Sequence, residues 1–234
     1  MDLHGQALLD YFEGDRDATI VLHRNDGFVY PPLPARDWFY EDGFPEIDRA
    51  GLELCKGTVL DVGAGSGSHS LALQNRGLDV VSLEPSSPAV EVMVRRGVRH
   101  PVRGSILDPI AGTFETVLLL GSIGVVENLD GLDNFFRHLK AFLAPGGRLI
   151  TDSVDPRNND DPVYVAYRRA KVAQGRYEGE RTLRFEYKGR FSDWFEWMHV
   201  AFEPLAEHAA RAEFTCEHIV SEGRRFLCQL EPLG

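Results

Sequence analysis

The stretch VLDVGAGSGSHS, residues 59–70, combines an apolar run, an acid and glycines at alternate positions. The apolar run predicts a buried strand, and the residues that follow the glycines predict a helix. Gly63, Gly65 and Gly67 permit positive backbone angles and let the loop approach a ligand closely. The ligand would then meet the N-terminus of the helix, where backbone N–H groups lack partners. The loop predicts a ligand site, although such glycines also form plain tight turns.

The residues around this loop narrow the class of ligand. A dinucleotide fingerprint would have its third glycine at position 68, which is Ser68, and no G-x-x-x-x-G-K-[ST] phosphate loop occurs. Asp61, two residues before the first glycine, would repel a pyrophosphate and attract a cation. Glu84 ends the next predicted strand, where a carboxylate can accept hydrogen bonds from both ribose hydroxyls. We expect a ligand with a ribose, a positive charge and no phosphate. Ser68 and the long segment that precedes the loop argue against a nicotinamide dehydrogenase.

Alternating strand and helix patterns place the loop in a larger fold. Between residues 58 and 153, apolar runs alternate with helix-like segments, which predicts βαβ units and a parallel sheet covered on both faces. After Asp155 the alternation gives way to a helix, a β-hairpin near 182–202, another helix and a terminal antiparallel pair. The predicted fold class is α/β: a doubly wound, mostly parallel seven-stranded sheet with an N-terminal extension and an inserted hairpin.

The same patterns predict two parts of the chain. Residues 1–50 would form an N-terminal helix and a cap rich in aromatic residues and prolines. Residues 51–234 would form the ligand-binding domain, in which the segment 156–202 is an inserted cover for the substrate.

The segments VLDVGAGSGSHSLAL, VVSLEPS, FETVLLLGSIGVVENL and LAPGGRLITDS resemble class I S-adenosylmethionine (SAM)-dependent methyltransferases of the small-molecule type. The resemblance covers roughly residues 55–155 and implies a Rossmann-like methyltransferase fold, SAM as cofactor and S-adenosylhomocysteine (SAH) as product. It implies that Asp61 anchors the methionine ammonium group and that Glu84 binds the ribose. The other implied cofactor contacts are Gly63, Ala64, Gly65, Pro85, Ser105, Ile106 and Gly121.

The sequence departs from this family in two places. On the third strand, relatives commonly carry an acid that accepts from the adenine amine, whereas this chain has Gly104-Ser105-Ile106. After the fourth strand, many small-molecule relatives carry a His pair, and this chain has Gly124-Val125. Candidate general bases are therefore Glu127 on the loop after that strand and His199 in the inserted hairpin. Their simpler interpretations are a carboxylate at a helix start and a packed hairpin residue.

Aromatic residues cluster in two segments outside the predicted core fold. We expect both segments to cover the carboxyl ends of the strands and to form a mostly apolar substrate pocket. The expected substrate contacts are Tyr30 and Trp38 from the first segment and Trp194 and Trp197 from the second. Such rings also attract a sulfonium cation. The alternative is that they form a satellite core.

Composition limits the partners of the protein. Its 25 basic and 36 acidic residues give a net charge of −11, which opposes binding to nucleic acid and to anionic membranes. No secretory signal, membrane-spanning run or metal-ligand spacing is present, and three scattered cysteines are typical of reduced thiols. We therefore expect a cytoplasmic protein without a metal.

The expected function is methyl transfer from SAM to an O or N atom of a small organic acceptor. Alternatives are a SAM-fold protein that binds or partners without catalysis, and an enzyme with a macromolecular acceptor such as a protein side chain. The identity of the acceptor and the oligomeric state stay open at this point.

Overall fold

A computed structural model describes residues 2–108 and 110–233 of the chain. The helices are α1 (Leu3–Phe12), α2 (Glu46–Leu54), α3 (Ser68–Asn75), α4 (Ser87–Arg96), α5 (Leu132–Lys140), α6 (Pro162–Ala173) and α7 (Phe202–Arg211). The strands are β1 (Thr19–Arg24), β2 (Leu33–Pro34), β3 (Thr58–Val62), β4 (Asp79–Glu84), β5 (His100–Arg103), β6 (Phe114–Leu119), β7 (Leu143–Val154), β8 (Glu180–Tyr187), β9 (Arg190–Phe191), β10 (Phe195–Met198), β11 (Phe214–Glu222) and β12 (Arg225–Pro232). Short 3-10 turns lie at Ala35–Phe39, Ile123–Val126 and Leu129–Gly131.

The main sheet has seven strands in the order β11-β12-β7-β6-β3-β4-β5. Strands β3 to β7 are parallel, and β12 runs antiparallel to both of its neighbours. The predicted doubly wound, mostly parallel seven-stranded sheet is confirmed. The strand order reverses between β3 and β6, and ligands of such sheets bind outside the carboxyl ends of the strands at this point. The glycine loop follows β3, and Gly121 follows β6, so both lie at the crevice.

Local signals in the sequence explain how the helices on this sheet begin and end. The Ser86 hydroxyl accepts a hydrogen bond from the Ala89 amide at the start of α4, and Pro88 lies in its first turn. The helix ends at Gly97, whose φ of +89° favours glycine. In the described parts of the chain, no helix is both long enough and apolar enough to cross a membrane.

A second, antiparallel sheet packs over the carboxyl ends of the main sheet, and we call it the cover sheet. It contains β1, β2, β8, β9 and β10, with β8 between β1 and β10. The predicted hairpin is present, with its long strands at Glu180–Tyr187 and Phe195–Met198. Strand β1 pairs with β8 of this hairpin in an antiparallel register that places His23 opposite Arg184. The cover sheet thus combines the N-terminal extension with the insert, a pairing that the pattern of neither segment predicts.

The proposed division of the chain at residue 50 falls inside α2. Since the cover sheet takes strands from both sides of this division, residues 1–50 do not pack as a separate layer. The N-terminal helix α1 packs so closely against the start of α4 that a side chain at Gly5 would collide with the Ser86 hydroxyl. The two-part organisation stays a prediction, and the structure shows the extension and the insert in contact.

Candidate functional site

Glu84 fixes the glycine loop to the end of β4. Its Oε2 accepts a hydrogen bond from the Gly65 amide at 2.9 Å, and its Oε1 accepts one from the Ser86 amide at 2.9 Å. The side chain is 7% exposed, and burial raises the pKa of the carboxyl group, although both amide hydrogen bonds act in the opposite direction. Glu84 also lines the cavity described below. Its remaining lone pairs can accept hydrogen bonds from a ligand.

Two glycines of the loop are required for different reasons. Gly65 has φ +55°, and no atom outside its own neighbours lies closer than 3.9 Å to the position of a Cβ atom. Any side chain there would therefore be strained and would occupy space that a ligand can fill. Gly63 has φ +71°, and a Cβ atom there would approach the Ser122 hydroxyl to 2.5 Å.

Asp61 is buried beneath the loop and does not line the cavity. Its Oδ2 accepts a hydrogen bond from the Ser70 hydroxyl at 2.5 Å, and that hydroxyl in turn accepts one from Ser82 at 2.6 Å. Burial raises the pKa of the Asp61 carboxyl group. The side chain therefore supports the end of β3 and the start of α3 from below. Direct contact of Asp61 with a ligand stays a prediction.

A cavity of about 580 Å³ lies between the main sheet and the cover sheet, within the range of about 300–1,000 Å³ that is typical of ligand sites. It brings together most of the residues predicted from the sequence: Tyr30, Trp38, Gly63, Ala64, Gly65, Glu84, Pro85, Ser105, Ile106, Gly121, Trp197 and His199. Three predicted residues lie elsewhere: Asp61, Glu127 and Trp194. The cavity therefore joins the expected cofactor end to the expected substrate end.

Glu127 and Trp194 both lie at the protein surface. Glu127 ends a 3-10 turn with φ +70° and is exposed. Trp194 is 46% exposed, and its ring stacks on the Arg184 guanidinium group, 4.6 Å away. Neither geometry places the side chain in the cavity. A base role for Glu127 and a substrate contact for Trp194 stay predictions that the cavity does not support.

Trp197 explains the glycine that stands where many relatives carry histidine. A Cβ atom on Gly124 would collide with the indole ring of Trp197. The position after β6 therefore admits no side chain, because the cover sheet fills that space with an aromatic ring. This close approach removes the usual site for a base and forms one wall of the cavity.

Ser105, at the third strand, takes part in a local turn. Its amide donates to Asp108 Oδ2 at 2.9 Å, and its hydroxyl accepts from the Leu107 amide at 3.1 Å. Asp108 is exposed and does not line the cavity, so it acts as a turn residue. The cavity at this end is formed by Ser105 together with apolar Ile106.

A buried polar network that sequence reasoning missed borders the glycine loop. Asp48 Oδ1 accepts from the Tyr40 hydroxyl at 3.0 Å and contacts His69 Nε2 at 2.9 Å, and its Oδ2 accepts from Arg225 at 2.9 Å. Arg225 also binds Asp152 at 2.8 Å. Burial alone would raise the pKa of Asp48, but the hydrogen bond from His69 and the charge of Arg225 hold it below its usual value. Asp48 is therefore ionised, and both of its carboxylate oxygens are engaged in hydrogen bonds within the protein.

Hydroxyl groups of the glycine loop hold the N-terminal aromatic segment over the cavity. The Ser66 hydroxyl donates to the Trp38 carbonyl, and the Ser68 hydroxyl donates to the Phe39 carbonyl at 3.1 Å. Ser68, which replaces the third glycine of a dinucleotide fingerprint, thus has a structural use here. These contacts place the ring of Trp38 beside the loop, where it lines the cavity.

His199 lies at the substrate end of the cavity in a positively charged environment. Its Nδ1 accepts a hydrogen bond from Arg181 Nε at 3.2 Å, so in the neutral ring the proton is on Nε2. Burial, together with the charges of Arg181 and Arg224, lowers the pKa of His199 to about 3. His199 is therefore neutral at ordinary pH and presents a donor, which disfavours its predicted role as a base.

The comparisons with known proteins agree with this geometry. A family model described as a methyltransferase domain matches residues 39–210. A solved SAM-dependent methyltransferase from Bacteroides fragilis, in complex with SAH, is 30% identical, with 99% of this chain and 94% of that chain covered and a TM-score of 0.86. The chain therefore belongs to this family of SAM-dependent methyltransferases, and its cofactor is SAM.

More distant relatives share parts of the chain. The CcbJ methyltransferase of Streptomyces caelestis shares the fold, with a TM-score of 0.61 at 16% identity over 85% of this chain and 96% of that one. A tRNA U34 carboxymethyltransferase of Geobacter sp. (strain M21) is 28% identical over 158 residues, which are 64% of this chain and 45% of the relative. A cypemycin N-terminal methyltransferase of Streptomyces sp. is 31% identical over 108 residues, 42% of each protein. The match thus spans less than half of these curated relatives.

The residues of the cavity fit SAM. The open space at Gly65 accommodates a ligand against the loop, and the buried Glu84 carboxylate suits a pair of hydroxyl groups. Ile106 and Leu83 supply apolar surface for a base ring. In the described ranges, no group of three or more His, Cys, Asp or Glu is arranged to hold a metal ion.

Proposed function

We propose that the protein transfers the methyl group of SAM to an O or N atom of a small organic acceptor. The observation that carries this proposal is the shared cavity, in which the glycine loop and Glu84 lie opposite the aromatic cover sheet. One end has the chemistry of a nucleoside site, and the other is formed by Trp38, Trp197 and Phe195. The acceptor would bind at this second end.

The residues of the chain bind and orient the donor. In the proposed arrangement Glu84 accepts from the ribose hydroxyls, Pro85 and Ile106 contact the adenine, and Gly63 and Gly121 lie along the methionine part. When bound, SAM supplies a methyl group on a sulfonium, which a nucleophile can attack when it is aligned opposite the leaving sulfur. The aromatic walls favour this positive charge, and the cover sheet limits access of water.

The carboxylates that line the cavity, Asp48 and Glu84, already accept hydrogen bonds from the protein and are poorly placed to act as a general base. The acceptor atom therefore needs to be nucleophilic at ordinary pH without help from these carboxylates. Neutral amines and carboxylates carry a free lone pair without loss of a proton. For a hydroxyl acceptor, His69 is the candidate base, since it lines the cavity and its Nε2 is bonded to Asp48. In this arrangement His69 Nδ1 is the atom that accepts a proton.

The experiment that tests the proposal uses SAM with a labelled methyl group. The protein is first titrated with SAH by calorimetry and then incubated with panels of small amines, carboxylic acids and phenols. We expect micromolar SAH binding and label in the small-molecule fraction. The Glu84→Ala variant, which lacks the ribose acceptor, should lose both. A wild type that binds SAH but labels no acceptor would support the non-catalytic alternative.

The names of the curated relatives favour a second candidate, a macromolecular acceptor. To test this candidate, the same labelling assay also includes tRNA and short peptides with free N-termini, which the names of these relatives suggest. The net charge of −11 argues against RNA, because RNA binding depends on cations that neutralise phosphates. Label that precipitates with tRNA or elutes with peptide would replace the small-molecule proposal.

A further inference from the structure

Arg181 is a buried cation without a counter-ion. Its side chain is 3% exposed and lines the cavity. Nε donates to neutral His199, Nη1 is buried without a hydrogen-bond partner, and no carboxylate among the described residues pairs with the guanidinium group. A buried guanidinium group that lacks an anion is strongly unfavourable unless a ligand supplies one.

A second polar group beside Arg181 also lacks a partner. The Tyr30 hydroxyl is buried, lines the same cavity and makes no hydrogen bond of acceptable geometry within the described residues. The charges of Arg181 and Arg24 both act on this hydroxyl, so it lies near both arginines. Burial raises the pKa of Tyr30 above its usual value, so the hydroxyl keeps its proton and can donate a hydrogen bond to an anion.

The neighbouring buried Arg24 has a counter-ion, although its Nη1 is also buried without a hydrogen-bond partner. Its Nε and Nη2 donate to the two oxygens of Asp26 at 2.8 and 2.7 Å, and its guanidinium group stacks on Tyr167 at 4.0 Å. Arg181 has neither an acid nor a stacked ring of this kind in the described ranges. Arg181 therefore contributes uncompensated positive charge at the substrate end, and the charges of Arg181 and Arg224 both act on His199.

The remaining wall of this end is apolar. Leu183 and Phe185 follow Arg181 at alternate positions of β8 and face the same cavity, together with Trp197 on β10. A guanidinium group binds a carboxylate through two parallel hydrogen bonds, and the planar fork specifies that shape. The combination fits a small molecule with one carboxylate and an apolar body.

We propose that the methyl acceptor is a small organic acid whose carboxylate pairs with Arg181 and accepts a hydrogen bond from Tyr30, while its apolar body packs against Phe185 and Trp197. The proposal rests on the proposed function, because only then is the bound acid a methyl acceptor. SAM has a carboxylate of its own, on its methionine part. Arg181 lies on the cover sheet and not on the glycine-loop side, which favours the acceptor as the source.

The test measures binding of simple acids to the full chain saturated with SAH. The probes are benzoate, 3-phenylpropionate and indole-3-acetate, each compared with its primary amide by calorimetry. We expect at least one acid to bind about tenfold or more tightly than its amide, because a charge-assisted hydrogen bond distinguishes the two. Arg181→Met should abolish this preference, and Arg181→Lys should keep part of it. Arg184→Met, on the other face of β8, is the matched control and should change nothing.

Three results would overturn the proposal. The first is equal binding of acids and amides, or no binding of any acid, by a wild type that binds SAH. The second is an unchanged acid preference in Arg181→Met, or in Arg181→Gln if the methionine variant melts early. The third is a loss of SAH affinity in Arg181→Met with normal affinity for 5′-methylthioadenosine, which lacks the amino-acid part; the arginine would then belong to the donor. A wild type that does not bind SAH would contradict the proposed function. Even then, binding of the acids and amides to the protein without SAH would show whether Arg181 holds a carboxylate.

Discussion

Glu84 combines two tasks, since one carboxylate holds the loop through the Gly65 amide and also faces the cavity. We predict that Glu84→Gln lowers SAH affinity about tenfold or more, because the amide cannot accept from both backbone N–H groups and binds hydroxyls less strongly. Calorimetric titration with SAH measures this loss. Glu91→Gln, an exposed position on α4, is the control and should bind SAH normally. Equal affinity of the two variants would contradict the assignment.

His199 gives the stability of the protein a defined pH dependence. Its pKa is about 3 in the folded protein and about 6.5 in an unfolded chain. Between these values the unfolded chain binds a proton that the folded chain does not, so the free energy of unfolding falls as pH falls from about 6.5 towards 3. We predict that His199→Asn, whose Oδ1 can still accept from Arg181, removes this loss.

Urea unfolding at neutral pH and near pH 5 measures the effect. Over that interval the free energy of unfolding of the wild type should fall by up to about 2 kcal/mol more than that of His199→Asn. His100→Asn, at an exposed position, should follow the wild type. Parallel pH profiles for wild type and His199→Asn would show that the ring is already protonated or solvated in the folded protein.

The sequence predicted the glycine-loop residues and several of the aromatic rings that line the cavity, but it did not predict Arg181 or Asp48, for a physical reason. Gly63, Gly65 and Glu84 belong to short motifs whose positions follow from where two strands end. No local sequence pattern distinguishes Arg181, because an arginine in a strand is expected to be exposed to solvent unless its burial is known. Asp48 and Arg225 are 177 residues apart along the chain, and only the packing of the sheet joins them.

At the scale of elements, the cover sheet meets the turn after β6 at a close contact between Gly124 and Trp197. We predict that Gly124→Ala lowers the free energy of unfolding by about 1–3 kcal/mol, because the added methyl group overpacks the contact. Thermal melting and tryptophan fluorescence measure this change, while SAH affinity stays close to that of the wild type. Combination with Trp197→Phe, a smaller ring, should recover part of the loss; additive effects would show that the two residues do not interact.

The alternation of strand and helix patterns predicted a mostly parallel main sheet, whereas no pattern predicted the cover sheet. Each parallel strand is predicted with its helix as a local unit. A single amphipathic strand such as β1 carries no information about its partner, and β8 is separated from it by the whole central domain. The insert was therefore predicted as a hairpin without its third long strand.

At the scale of the whole molecule, the charge of −11 discriminates between classes of acceptor. We predict that unfractionated tRNA neither shifts the protein in a native gel at low salt nor competes with a small acceptor in the labelling assay, because the surface carries excess negative charge. Low salt is the most permissive condition for such binding. A complex that dissociates as salt is added would contradict the prediction and favour an RNA acceptor.

The pairing of β1 with β8 also has a consequence for the order in which the molecule assembles. His23 and Glu186 meet across this pair although they lie 163 residues apart. During synthesis β1 leaves the ribosome early, and its backbone hydrogen-bonding groups lack their β8 partners until the insert has been synthesised. Long-range pairings of this kind form slowly, because the intervening chain loses entropy before the contact is gained. We therefore expect the cover sheet to be the last part of the molecule to fold. A nascent chain whose β1 is shielded from pairing with other chains would reach the native state with less aggregation.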